Sequence, residues 1–123
     1  MSDLVLIVED NEKNLKLARD LLNYHGFTTI EATNAEDGVA LARKRVPGLV
    51  LMDIQLPGMD GVSALERLRE DPATSRIPVV AMTASVMKED RERFDKAGFD
   101  GFITKPIDVK SFPDQIRGYL KGA

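Results

Sequence analysis

The chain has 123 residues, 43% hydrophobic and 30% charged, with one histidine, no cysteine and a formal net charge of −3. That length suits one domain of about 100–200 residues, with a core large enough to fold without staples. The composition excludes disulfides, cysteine-ligated zinc, thiol catalysis and a multi-histidine metal site. The mild acidity offers no footprint for direct nucleic-acid binding. No apolar run approaches the ~20 residues of a membrane span, so no membrane insertion is expected. The start, MSDLVLIVED, lacks the basic residues and cleavage site of a secretory signal, which points to a cytoplasmic protein. Any chemistry must come from carboxylates, Lys, Arg, Ser, Thr and main chain.

In chain order, residues 4–8 form a continuous apolar run, read as a strand covered on both faces. Leu15, Ala18, Leu21 and Leu22 then recur at helical spacing, with Asn11 as the N-cap and His25 at the helix end before Gly26. Residues 28–32 are shorter and more polar, which suits an edge strand. A second helix follows through Ala35, Val39, Ala42 and Val46, capped by Asn34 and stopped by Pro47. Residues 48–52 are a second continuous run, and Val62, Leu65 and Leu68 mark a third helix. Pro72 and Pro78 bracket a loop, and residues 77–82 form the fourth strand. The next segment, residues 87–97, offers little apolar face beyond Met87, Phe94 and Ala97, so its helix is weakly anchored and suited to movement. Residues 101–104 are a second edge strand. Phe112, Ile116, Tyr119 and Leu120 mark a last helix, with Asp108 as its cap.

Strand and helix thus alternate five times, the pattern of an open parallel sheet with helices on both faces. Right-handed crossovers leave few topologies. The expectation is an α/β, flavodoxin-like (βα)5 three-layer sandwich with strand order 2-1-3-4-5 and a crevice where strands 1 and 3 diverge. The absence of linkers and repeats implies one domain over residues 1–123, with no output domain.

Ligands bind such sheets at the carboxyl ends of the strands. There the sequence places Glu9, Asp10 and Asn11 after strand 1, Asp53 after strand 3, Thr83 and Ala84 after strand 4, and Lys105 and Pro106 after strand 5. Glu9, Asp10 and Asp53 would share one pocket, where carboxylates about 4 Å apart repel by roughly 4 kcal/mol at an effective dielectric near 20. A divalent cation resolves that repulsion, and Mg2+ prefers carboxylates together with waters and phosphate oxygens. Asp10 and Asp53 are direct-ligand candidates, Glu9 acts directly or through water, and the Gln55 carbonyl offers a further oxygen. Lys105 can pair with a carboxylate or a phosphoryl oxygen, Thr83 can donate its hydroxyl, and small Ala84 leaves room for an incoming group. Together these suit phosphoryl transfer with a carboxylate nucleophile. Singly, each has a plainer role: Asp10 as a helix cap, Lys105 in a structural ion pair, Thr83 as a strand-end hydroxyl. Their meeting at four strand ends favours chemistry.

The motifs VLIVEDN at 5–11, LVLMDIQLPGMDG at 49–61, VVAMTA at 79–84 and FITKPI at 102–107 resemble the receiver domain of two-component response regulators over essentially the whole chain. Within that family the chain looks like single-domain regulators of the DivK type. The resemblance implies that Asp53 is the phosphoacceptor and that Glu9, Asp10, Asp53 and the Gln55 carbonyl hold Mg2+, for which Mn2+ can substitute. It makes Thr83 the switch hydroxyl, Lys105 the phosphoryl-stabilising cation, and the bond before Pro106 a cis peptide. Phe102 falls at the switch aromatic, where it has no hydroxyl to donate, and Gln55 and Ser85 fall where autodephosphorylation is tuned. The donor would be a histidine kinase or a histidine phosphotransfer protein. A downstream protein would read the face made by the fourth helix, fifth strand and fifth helix, with the chain a monomer or a weak, phosphorylation-dependent dimer. The residues alone leave open a Mg2+-dependent phosphohydrolase, a flavin-binding module and a phosphorylation-independent scaffold. Against the first, Gln55 stands where a proton-donating acid is wanted, and against the second, the loop EDNEKN has no glycine to cradle phosphate.

Overall fold

In a computed structural model, residues 3–54, 56, 58–84 and 87–122 are described. The chain runs β1 (Leu4–Val8), α1 (Glu12–Tyr24), β2 (Thr28–Ala32), α2 (Ala35–Arg45), β3 (Leu49–Asp53), α3 (Gly61–Glu70), β4 (Val79–Thr83), α4 (Lys88–Ala97), β5 (Gly101–Thr104) and α5 (Phe112–Gly122). The strands form one parallel sheet in the order β2-β1-β3-β4-β5. The fold class read from the sequence is therefore the one observed.

Alternation along the strands explains the continuous apolar runs. Val5, Ile7, Leu49, Leu51, Val80 and Met82 turn to one face, against Leu15, Ala18 and Leu22 of α1 and Phe112 and Ile116 of α5. Leu6, Val8, Val50, Met52, Val79 and Ala81 turn to the other, against α2, α3 and Phe94 of α4. A strand covered on both faces has no use for polar alternation. Edge strands β2 and β5 are only partly buried, as their polar composition implies.

Several local features depart from the sequence reading: β3 spans Leu49–Asp53 rather than 48–52, so Asp53 is its last residue, and α4 starts at Lys88 with Met87 as its N-cap. Strand β4 starts at Val79 rather than 77, because Pro78 lacks an N–H for the ladder. Helix α2 ends at Arg45, and Val46 is its exposed left-handed C-cap (φ 44°, ψ 68°) instead of part of the apolar stripe. The following Pro47 excludes the helical conformation at position 46. Asp108 caps the turn before α5, accepting from the Lys110 N–H and the Ser111 hydroxyl, and sits four residues ahead of the helix. The other caps are as read: Asn11 accepts from the N–H groups of Lys13 and Asn14, and Asn34 from that of Asp37. His25 is the C-cap of α1, and its ring meets Tyr24 edge to face.

Candidate functional site

Strands β1 and β3 lie side by side at the centre of the sheet, with Val8 opposite Met52, so the residues that follow emerge together. Glu9 is fixed by its N–H bond to the Ala32 carbonyl at 3.0 Å, and Ile54 by its N–H bond to the Met82 carbonyl at 3.1 Å. The Lys105 N–H donates to the Thr83 carbonyl at 2.7 Å, extending the β4–β5 pairing past the last strand residue. The Lys105–Pro106 peptide is cis.

Ligand oxygens of Glu9, Asp10 and Asp53 all lie within 4.8 Å of one another. Glu9 is 1% exposed and Asp53 5%, while Asp10 stands exposed at the rim. The Lys105 ammonium lies 2.7 Å from Glu9 Oε1 and 3.0 Å from Asp53 Oδ2. The other Glu9 oxygen accepts from the Asn11 N–H at 3.3 Å. Burial opposes the charge on Lys105. The hydrogen bonds to Glu9 and Asp53, with their charges, more than offset it and hold the ammonium above the usual lysine value. With Asn11, Asn14, Thr83 and Ala84, these residues line one polar cavity of about 340 Å³.

Glycine at the start of α3 shapes the floor beneath the acid. A Cβ on Gly61 would lie 2.9 Å from the Asp53 carbonyl oxygen and 3.1 Å from the Ile54 Cα, both backbone. Only a bare residue lets α3 close up on the segment that presents Asp53. Asp60 caps that helix by accepting from the Ser63 N–H at 2.8 Å.

Three carboxylates against one ammonium leave two negative charges in a cleft where two of the acids are buried. A divalent cation supplies the missing charge, and an all-oxygen donor set suits a hard ion such as Mg2+ over a thiophilic metal. The residues present thus fit the ion that the site chemistry implies.

Of the sequence-selected site residues among those described, Glu9, Asp10, Asp53, Thr83, Ala84 and Lys105 line this cleft, while Phe102 and Pro106 line a neighbouring one. The Phe102 ring is half-buried on β5, beneath the Arg91 guanidinium. Gln55 and Ser85 lie outside the described residues. Sequence reasoning missed Asn14 as a wall of the cavity. Its position three residues after the cap Asn11, to which its N–H donates, puts it in the first turn of α1 beside the cleft and is the signal that would have found it. It also missed Gly61, whose close approach leaves no mark in local pattern.

The sequence profile of the response regulator receiver domain matches residues 5–117. The chain is 45% identical over 123 residues to the polar-differentiation response regulator DivK of Brucella anthropi, and 44% identical to that of Brucella ovis, each alignment spanning both chains completely. Among solved structures, the receiver domain of a sensor histidine kinase from Pseudomonas aeruginosa, with a magnesium ion coordinated in its active-site cleft, superposes with a TM-score of 0.89 at 26% identity, covering 98% of this chain and 99% of that one. A chemotaxis response regulator of Vibrio cholerae shares the fold, with a TM-score of 0.90 at 18% identity over 97% of this chain and 99% of that one. The acid cleft at the carboxyl edge and the match along nearly the whole sequence agree: the chain belongs to the response regulator receiver domain family.

Proposed function

We propose that residues 1–123 act as a stand-alone cytoplasmic receiver that accepts a phosphoryl group on Asp53 from a phosphohistidine of a histidine kinase or histidine phosphotransfer protein. The observation that carries this reading is the Asp53 carboxylate, buried yet lining an open polar cleft, with a lysine ammonium 3.0 Å away. In the step, an Asp53 oxygen attacks the donor phosphorus in line. A P–O bond forms as the donor P–N bond breaks, and the imidazole leaves with the electron pair. Glu9, Asp10, Asp53 and the Gln55 carbonyl are the groups that would hold Mg2+, or Mn2+ in its place, and the bound ion would supply positive charge to the phosphoryl oxygens. Lys105 holds Asp53 and Glu9 in place and gives its ammonium to a phosphoryl oxygen as the transfer proceeds. Thr83 donates its hydroxyl to the new group, and Ala84 leaves the space that group enters. The chain acts only on its own acceptor, as a switch with no second substrate.

The readout is the surface formed by α4, β5 and α5, which carries Phe102 and recognises a downstream protein. The net charge of −3 favours a protein partner over nucleic acid. No described helix is long and apolar enough to cross a membrane. The test is labelling by acetyl phosphate with Mg2+, read by intact mass. The parent gains one phosphoryl group and Asp53→Asn gains none. Unchanged Mg2+-dependent labelling of Asp53→Asn places the acceptor elsewhere.

A further inference from the structure

Helix α4 is thinly attached to the sheet. Phe94 is its one buried residue, while Lys88 and Glu89 are exposed and Asp90 and Arg91 half-buried. Arg91 stands three residues before Phe94, on the same face. Its guanidinium carbon lies 4.9 Å from the centroid of the Phe102 ring, across from α4 on β5. Its Nε is buried and has no hydrogen-bond partner among the described residues. Arg91 and Phe102 together wall a second cavity of about 370 Å³, closed on its other sides by Pro106, Ser111 and Gln115 among others.

Two effects of the same order oppose each other here. A guanidinium over an aromatic face is attracted to it. A buried N–H without an acceptor loses its hydration and gains nothing in return. A half-buried arginine on a surface helix escapes that penalty by turning outward into water. The observed stacking is therefore one of two placements close in free energy, and the choice between them decides whether the first turn of α4 is tied to β5.

We propose that Arg91 is a latch on this face: closed, the guanidinium covers Phe102 and holds the start of α4 on β5; open, it lies in water, the ring is uncovered and that turn is released. Phe102 has no hydroxyl, and among the described residues the stacked cation is its polar link to α4. The trigger rests on the function proposed above. Lys105 follows β5 directly, three residues after Phe102, and a phosphoryl group on Asp53 would change what its ammonium holds.

The full-length chain tests this by nuclear magnetic resonance of the arginine Nε–H groups and by amide hydrogen exchange. In the unphosphorylated protein, Phe102→Leu moves the Arg91 Nε–H signal out of the ring-current shift. Arg91→Gln, which keeps helix propensity, speeds exchange of the amides of residues 88–94 by about fivefold. Arg91→Lys, which keeps a cation, loses less protection, and Arg91→Gln adds nothing in the Phe102→Leu background. Equal exchange in parent and Arg91→Gln, or an Arg91 signal indifferent to Phe102→Leu, overturns the latch. Acetyl phosphate with Mg2+ then moves the parent Arg91 signal toward its position in Phe102→Leu. A labelled Asp53 with an unmoved Arg91 signal overturns the coupling. A protein that takes no label overturns the acceptor assignment instead, and the latch is then judged on the unphosphorylated measurements.

Discussion

Replacing Asp10 by asparagine separates the cost of crowding the acids from the benefit of the cation they hold. Ligand oxygens of the trio lie within 4.8 Å of one another. At that separation each like-charged pair costs about 0.9 kcal/mol at a bulk dielectric of ~80 and about 3.5 kcal/mol at ~20. Asp10 is exposed, so the lower figure governs its two repulsions. The Lys105 ammonium, shared between Glu9 and Asp53, cancels roughly one of them. Asp10→Asn therefore stabilises the cation-free protein by about 1 kcal/mol, raising Tm by about 3–6 °C. Mg2+ at ten times its dissociation constant stabilises the parent by about 1.4 kcal/mol. The variant, short of one charged ligand, gains much less, so the order of stabilities inverts. Urea unfolding of both proteins, in EDTA and in MgCl2 at matched ionic strength, measures each arm. A parent indifferent to Mg2+, or a variant that gains as much as the parent, refutes the reasoning.

Gly61→Ala forces a methyl group onto the backbone of Asp53 and Ile54. It should lower stability by about 1–3 kcal/mol and slow acetyl phosphate labelling, as seen in urea unfolding and intact mass; parent-like values for both would mean that α3 does not brace the site. Arg69 donates to the carbonyls of Ser75, Ile77 and Gly98 and to the Asp100 carboxylate, joining α3, the following loop and the starts of β4 and β5. Arg69→Ala is expected to cost about 2–3 kcal/mol in urea unfolding and to leave Mg2+ stabilisation intact, since this hub lies at the opposite edge of the sheet from the acids. Val46 holds a left-handed conformation that costs a β-branched residue about 1–2 kcal/mol. Val46→Asn should recover about 1 kcal/mol and raise Tm by about 3–6 °C in calorimetry, and an unchanged Tm would show the strain to be absent.

The sheet was legible because its signal is collective. Five apolar runs at strand length, separated by helical stripes, permit few packings, and strand order then follows from handedness and the polarity of β2 and β5. The acids were legible for the same reason: the topology carries the ends of β1 and β3 to one place without any knowledge of side-chain geometry. What escaped were contacts between residues distant in sequence with no periodic partner. Nothing local to Gly61 reports that the Asp53 carbonyl lies against it, nor does the run from Lys88 to Asp95 reveal that Arg91 is set over the ring of Phe102 on another element, while Arg93 lies over Phe94 of its own helix. The rest of the run is mostly solvated, with surface pairs such as Lys88–Glu92 and Arg93–Asp90, as its small apolar face implies. Val46 escaped because its apolar character fits the stripe, whereas the proline after it decides its backbone.

Placing the acids at the sheet edge also explains how the chain tolerates them. Glu9 and Asp53 lose most of their water, a cost that two unpaired carboxylates cannot sustain. One ammonium serves both, at 2.7 and 3.0 Å, and it arrives on the end of an edge strand. The cation that stabilises the resting site is thus attached to an edge strand that is less buried than β1, β3 and β4, where displacement costs less packing. On the proposed function, a phosphoryl charge on Asp53 would compete for that ammonium directly. Its pull would reach β5, whose half-buried Phe102 lies under a helix that buries a single side chain among the described residues. Had the lysine stood on β1 or β3, where every strand residue but Leu4 is buried, the same charge change would work against the core and move nothing.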